Sequence, residues 1–390
     1  MPSVKLTKFT GINNVAYPMD MTSSDLLQAL NVDVTNSQRL RRRHGFVVLD
    51  GGECYSTVFE ATGFTLTVTK AGQMCAWRDG VPTVLHPSLG GRVWMAELPD
   101  GRVAFSNGLQ SGLTDGQRVT SWGVQQPDHV GTVIHIPGQL QPGSYRWAVC
   151  FVRDDGLEGG LITSEPVQLQ RPCGLAFMGL PEAQGLKTRV YLTRTDGEQF
   201  YFAGDAVDGQ LRLAQHDSAV LARTLDLRAP PAGILLSTCN GRALVALDDM
   251  LLASQPTLPE QFDMVRDFRR FEGRITLVQP VSGGIYVGTV HALYFLEGGS
   301  FDALALRTVL RQPVVLGSGV AVDGHHIRVG DGSASGECMV CIAGGHIVAG
   351  LGGGQLVHMS KERYRTDCQE VSAAFRHVAG VPQYMAQVLR

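Results

Sequence analysis

Gly284-Ile285-Tyr286-Val287-Gly288-Thr289, followed after Val290-His291 by Ala292-Leu293-Tyr294-Phe295-Leu296, reads as two short strands joined by a tight turn. The same glycine-led start recurs at Gly63-Phe-Thr-Leu-Thr-Val, Gly101-Arg-Val-Ala-Phe-Ser, Gly241-Arg-Ala-Leu-Val-Ala and Gly324-His-His-Ile-Arg-Val. Met250-Leu251-Leu252-Ala253-Ser254 supplies the second strand after Gly241. The starts lie 38, 140, 43 and 40 residues apart. A period near 40 residues with paired strands is the blade length of a β-propeller. The long gap holds one such period and about 100 further residues, the size of a small β-sandwich.

Outward from this repeat the dominant period is two. Phe64-Thr65-Leu66-Thr67-Val68-Thr69, Arg189-Val190-Tyr191-Leu192-Thr193 and Gln210-Leu211-Arg212-Leu213 alternate apolar and polar, as a strand with one buried face does. Ser24–Leu30 carries a short helical start signal. Val371–Leu389 is ambiguous, because Gly380-Val381-Pro382 interrupts either a helix or a strand. From about Gln126 to Leu227 there are seven strand-like runs: Val130–Ile136, Tyr145–Val152, Val167–Gln170, Leu175–Leu180, Arg189–Thr193, Phe200–Ala203 and Leu211–Leu213. Trp147 is expected in the core of the second, and no Cys…Trp…Cys pattern accompanies it, which favours a fibronectin-III over an immunoglobulin version.

The fold class expected is therefore all-β: a β-propeller of about six blades with an inserted fibronectin-III/immunoglobulin-like β-sandwich. Residues 1–125 form its first part, 126–227 the insertion and 228–390 its second part. Residues 345–390 would furnish the last blade, with Leu30-Asn31-Val32-Asp33-Val34 completing a sheet there to close the ring.

Composition agrees. Of 390 residues 47 are glycine and 18 proline, hydrophobic residues make up 44% and charged residues 18%, a profile of many strands and turns, not of disorder. The net charge of −3 gives no overall electrostatic grip on nucleic acid or acidic membrane. No stretch approaches about 18 consecutive apolar residues, so membrane insertion by this chain is not expected. Met1–Lys8 lacks the apolar run of a secretory signal, and synthesis in a cytoplasm is expected. The eight cysteines, Cys54, Cys75, Cys150, Cys173, Cys239, Cys338, Cys341 and Cys368, are then expected as packed thiols.

No catalytic, cofactor or metal constellation is expected. Cys338-Met339-Val340-Cys341 has the spacing of a zinc knuckle, but no second pair follows, and i and i+3 on a strand face opposite ways. His325 and His326, beside Asp323 and Asp331, are neighbours on an expected strand, so their imidazoles would not converge. Asp331–Glu337 lacks the alternating oxygen ligands of a calcium loop. Asp154/Asp155 and Asp248/Asp249 sit in turns, and Gly350-Leu-Gly-Gly-Gly354 reads as a flexible turn without the Lys-Ser/Thr of a phosphate loop. The sialidase turn is absent: Thr114–Trp122 has the wrong spacing. The sharp charge feature is Arg39-Leu40-Arg41-Arg42-Arg43-His44. Arg39, Arg41, Arg42 and Arg43 are expected at an interface with phosphates or an acidic partner. A solvated edge strand is the alternative.

Phe9-Thr10-Gly11-Ile12-Asn13-Asn14-Val15, Ala29-Leu30-Asn31-Val32-Asp33-Val34 and Arg39–Phe46, in that order, resemble the opening of the tail nozzle (tail hub, or packaged-DNA stabilisation) proteins of short-tailed bacteriophages. His44 stands where that family usually has proline. Tyr145–Gly156, Thr188–Asp196, Gly241–Ser254, Gln261-Phe262-Asp263 and Gly284–Leu296 are similar to its inserted sandwich and later blades. The resemblance implies a structural virion protein of the tail, without enzyme activity or cofactors. It implies a homo-oligomeric ring, commonly a hexamer, below portal and adaptor proteins. Tail spike, fibre or needle proteins would be further partners, and DNA would be retained in the channel without sequence specificity and conducted outward at ejection. A non-viral propeller scaffold and, more remotely, a glycan-active propeller enzyme are the alternatives.

Overall fold

The computed structural model describes residues 8–35, 37–43, 55–378 and 381–389. Cys54 and His44–Phe46 lie outside them. Among the described residues the chain is all-β, its helical content being three 3-10 turns. Five sheets succeed one another as antiparallel meanders, each beginning with a strand that the next one folds back on. The first sheet holds Tyr55–Ala61, Phe64–Thr69, Met74–Arg78 and Val81–His86. The second holds Trp94–Glu97, Val103–Ser106, Ser111–Thr114 and Val119–Thr120. The third is built on Ile234–Cys239, Arg242–Leu247, Met250–Gln255 and Leu258–Asp263. Ile275–Val281, Gly284–Thr289, Leu293–Glu297 and Ala305–Leu310 make the fourth. The fifth contains Val320–Asp323, Glu337–Ala343, His346–Gly350 and Leu356–His358.

Sheets two to five each pack a cluster on both faces, and this departs from the one-faced strands that alternation suggests. In Phe64–Thr69 of the first sheet the threonines Thr67 and Thr69 are buried as well as Leu66 and Val68, if a little less fully, Thr67 Oγ1 accepting from Trp77 Nε1 at 2.9 Å. In the third sheet Leu244 and Ala246 pack on the fourth sheet, while Ala243 and Val245 pack on the second. Alternate side chains of a strand point to opposite faces, so a strand between two neighbours needs apolar or satisfied residues at every position. Shared clusters join sheets one and two, two and three, three and four, and four and five. Phe375 and Tyr384 then pack the C-terminal hairpin, Val371–Val378 with Val381–Val388, on the fifth. A cavity of about 1170 Å³ touches the first strand of all five sheets and both strands of this hairpin.

Positive-φ glycines at the expected starts Gly63, Gly101 and Gly241 (φ 86°, 81° and 74°) make the turns into second strands. The fifth sheet differs. Gly324 opens a 3-10 turn, and the second strand is entered instead from Gly336 (φ 69°). The small hairpin Arg328–Val329/Gly332–Ser333 fills the added length and disguises the repeat.

Residues 132–213 form three small sheets around one cluster that includes Tyr145, Trp147, Phe177, Val190 and Leu192. Trp147 is buried there, donating from Nε1 to Val130 O at 2.8 Å. The N-terminal arm contains β1 (Gly11–Ile12), β2 (Asp25–Leu26), β3 (Val32–Val34) and β4 (Leu40–Arg42). Two expectations fail in it. Ser24–Leu30 is not helical, because Asp25 accepts from Thr22 N and Thr10 Oγ1 and its backbone pairs with β1. Leu30–Val34 does not complete a sheet with residues 345–390, since β3 pairs with β4 of its own arm.

Candidate functional site: the basic arm and its seat

β3 and β4 form an antiparallel hairpin with Val32 opposite Arg42, Asp33 opposite Arg41 and Val34 opposite Leu40. Gln38 at φ 61° and the Thr35 hydroxyl, which accepts from Arg39 N at 3.1 Å, shape its turn. Arg39, Arg41, Arg42 and Arg43 are all exposed, so the run is brought together as one basic ribbon. Alternation sends Arg41 and Arg43 to the face opposite Arg42. Arg43 chelates Asp33 Oδ1 through Nε and Nη2 at 3.2 and 3.1 Å, a half-exposed pair worth little to stability.

The arm is seated on the body by a compact polar lock. Asn14 N donates to Arg363 O at 2.9 Å, Asn14 Nδ2 donates to Arg365 O at 2.8 Å, and Arg365 N donates back to Asn14 Oδ1 at 2.8 Å. Arg363 Nη1 meets Asp25 Oδ1 at 3.1 Å. Hydrogen bonds from Thr22 N, then Thr10 Oγ1, hold the Asp25 carboxyl down at about 2. Outside this lock the arm displays Tyr17, Met19, Leu27 and Leu30, 79, 97, 71 and 73% exposed. Asn14→Ala is expected to leave the melting temperature nearly unchanged while raising amide exchange across residues 8–26. Unchanged exchange there would show that the lock does not hold the arm.

A second charged assembly joins the 132–213 segment to the sheets. Glu260, 5% exposed in the third sheet, receives Arg102 at 2.7 Å, Arg153 at 2.8 Å and Gly123 N at 3.1 Å. Burial pushes its carboxyl up, but the hydrogen bonds from Arg153 and Arg102 outweigh that and hold it below its usual value. Gln261 Nε2 adds a bond to Glu158 O at 2.9 Å.

The remaining candidates separate clearly. Cys338 and Cys341 lie on opposite faces of one strand, in different clusters, and burial raises both thiols. Asp154/Asp155 and Asp248/Asp249 lie at turns, Asp155 bonded to Arg153 and Asp248 at φ 53°. Gly350 is not part of a flexible turn: it is strand, and a Cβ there would meet Tyr286 Cζ at 2.5 Å. The expected divergence of His325 and His326 is wrong. Asp323 accepts from His325 N at 3.0 Å and turns the chain into a 3-10 helix, where successive side chains diverge by about 120° and not 180°. Their ring centres are 3.5 Å apart. No group of three His, Cys, Asp or Glu side chains among the described residues is arranged to enclose a metal ion, and none of the described helices is long and apolar enough to cross a membrane.

No family model matches the sequence, and no curated protein matches it. Among solved structures, BBS1N in complex with ARL6DN is similar at 12% identity and TM-score 0.33, covering 86% of this chain and 89% of that one. The Myceliophthora thermophila Cps50 (Swd1) β-propeller domain is similar at 12% identity and TM-score 0.32, covering 86% and 98%. The computationally designed Ika8 protein is similar at 10% identity and TM-score 0.27, covering 86% and 96%.

Proposed function

We propose that this chain is a non-enzymatic architectural scaffold: a propeller of about six blades, the C-terminal hairpin standing in the sixth place, with residues 126–227 as an inserted fibronectin-III-like sandwich. It engages other proteins through its N-terminal arm. The observation that carries this is the arm itself, with four exposed arginines beside four bare apolar side chains, seated by one polar lock. A rigid body with few free edges and one adhesive arm suits assembly.

The order of the motifs in the arm favours a more specific form of this reading, a tail nozzle ring of a short-tailed phage. In that form the chain resides in the virion after synthesis in the host cytoplasm. It packs against copies of itself and against portal or adaptor proteins, offers the insertion to spike, fibre or needle proteins, and lets DNA pass through the ring. The arginines then belong to the subunit or adaptor contact.

Arg41, Arg42 and Arg43 replaced together by alanine should leave the circular dichroism and melting temperature of the isolated chain intact, since an exposed ion pair contributes at most about 1 kcal/mol. Assembly should be lost. Light scattering on purified protein and electron microscopy of particles read this out. Wild-type assembly by the triple variant would end the arm's assigned role. A persistent 42 kDa species that joins no tail but captures partners through the arm would leave the scaffold and remove the nozzle.

A further inference from the structure

The 3-10 turn that brings His325 onto His326 also aims His326 at the C-terminal hairpin. His377, on Val371–Val378, places its Nε2 2.8 Å from His326 Nε2. The ring centres are 4.3 Å apart with planes at 55°. A straight N–H···N bond of this length would set the centres about 5 Å apart, so the nitrogen axes bend off the line joining them. That is the posture of two imidazoles sharing a third atom. Two nitrogens in adjacent positions on an octahedral or square-planar ion, with bonds of about 2.0 Å, stand about 2.8 Å apart, against about 3.3 Å on a tetrahedral ion.

We propose that His326 Nε2 and His377 Nε2 form an open site for a divalent transition metal of the nickel or copper class, which clamps the C-terminal hairpin to the connection between the first two strands of the fifth sheet. Both nitrogens belong to imidazoles facing solvent, leaving the other coordination positions to water. Phe375 flanks the two rings, its centre 5.5 Å from His326 and 5.3 Å from His377, and limits their swing. Asp323 Oδ1 lies 2.7 Å from His325 Nδ1, which fixes the ring tilted against His326. Binding moves the proton between the two nitrogens to the Nδ1 of the ring that carried it, so that both imidazoles ligate through Nε2.

Calorimetry with nickel chloride on untagged full-length protein should show one saturable site per chain. His326→Asn and His377→Asn should each weaken it at least tenfold, while His135→Asn, on an exposed strand of the insertion, should leave it unchanged. The copper(II) electron paramagnetic resonance spectrum of the wild type should carry couplings to two equivalent nitrogens, a readout that needs no variant to fold. No saturable uptake, uptake retained in both single variants, or a one-nitrogen spectrum would overturn the site.

Discussion

Glu260→Ala should destabilise the protein by about 3 kcal/mol at pH 7 in urea unfolding, because it removes a buried carboxylate that two half-buried guanidinium groups share. Glu260 ties Arg102 of the second sheet and Arg153 of the 132–213 segment to the third sheet, and its Oε2 also accepts from Gly123 N. Arg153 keeps Asp155 and Arg102 keeps Asp100, which places the loss at the lower end of the range for breaking a buried pair. The effect should depend on acidity in a defined direction. The folded carboxyl sits below its ordinary value, so its contribution is complete above the unfolded pKa of about 4.3 and disappears as pH falls through the folded one. Wild type and variant should draw together in stability only as the pH falls below the unfolded value. Proteolysis should also cut the variant first near residues 123–130, between the second sheet and the 132–213 segment. A difference under about 1 kcal/mol at pH 7 would show the cluster to be an ordinary surface network.

Tyr286→Ala should cost about 3–5 kcal/mol, the range for truncating a large buried aromatic. Tyr286 is fully buried between the fourth and fifth sheets and lies 4.8 Å from the Phe295 ring. Its hydroxyl donates at 2.8 Å to Leu351 O and at 3.0 Å to Gln355 O in the turn of the fifth sheet. Tyr286→Phe isolates that polar part and should cost about 1 kcal/mol. Gly350→Ala tests the same contact from the other side, since its new methyl meets the ring at 2.5 Å. Equal stabilities for the alanine variant and wild type in thermal and urea unfolding would mean that these two sheets are not held through this residue.

Strand-forming segments were legible because their signal is local. Gly63, Gly101 and Gly241 mark their turns through a conformation that a Cβ disfavours, and the seven runs between residues 130 and 213 each overlap a strand. The basic run was legible for the same reason, as Arg39, Arg41, Arg42 and Arg43 neighbour one another whatever the rest of the chain does. Ser24–Leu30 misled because a helical start signal and an Asx-type turn use the same residues, and the pairing of Asp25 and Leu26 with Gly11 and Ile12 decides between them. Gly324 misled because the repeat was carried by spacing, and one inserted hairpin shifts spacing without altering the sheet.

The sequence by itself determined the all-β class, the meander rhythm and the exposed basic ribbon, since period, turn chemistry and charge density are properties of adjacent residues. Tertiary structure alone decided what long loops bring together. Glu260 meets arginines 107 and 158 positions earlier, and His377 meets an imidazole 51 residues away. Asn14 locks to a segment 351 residues along the chain. Such contacts depend on how whole sheets stack, and stacking is set by the summed packing of many apolar side chains rather than by any residue that takes part in the contact.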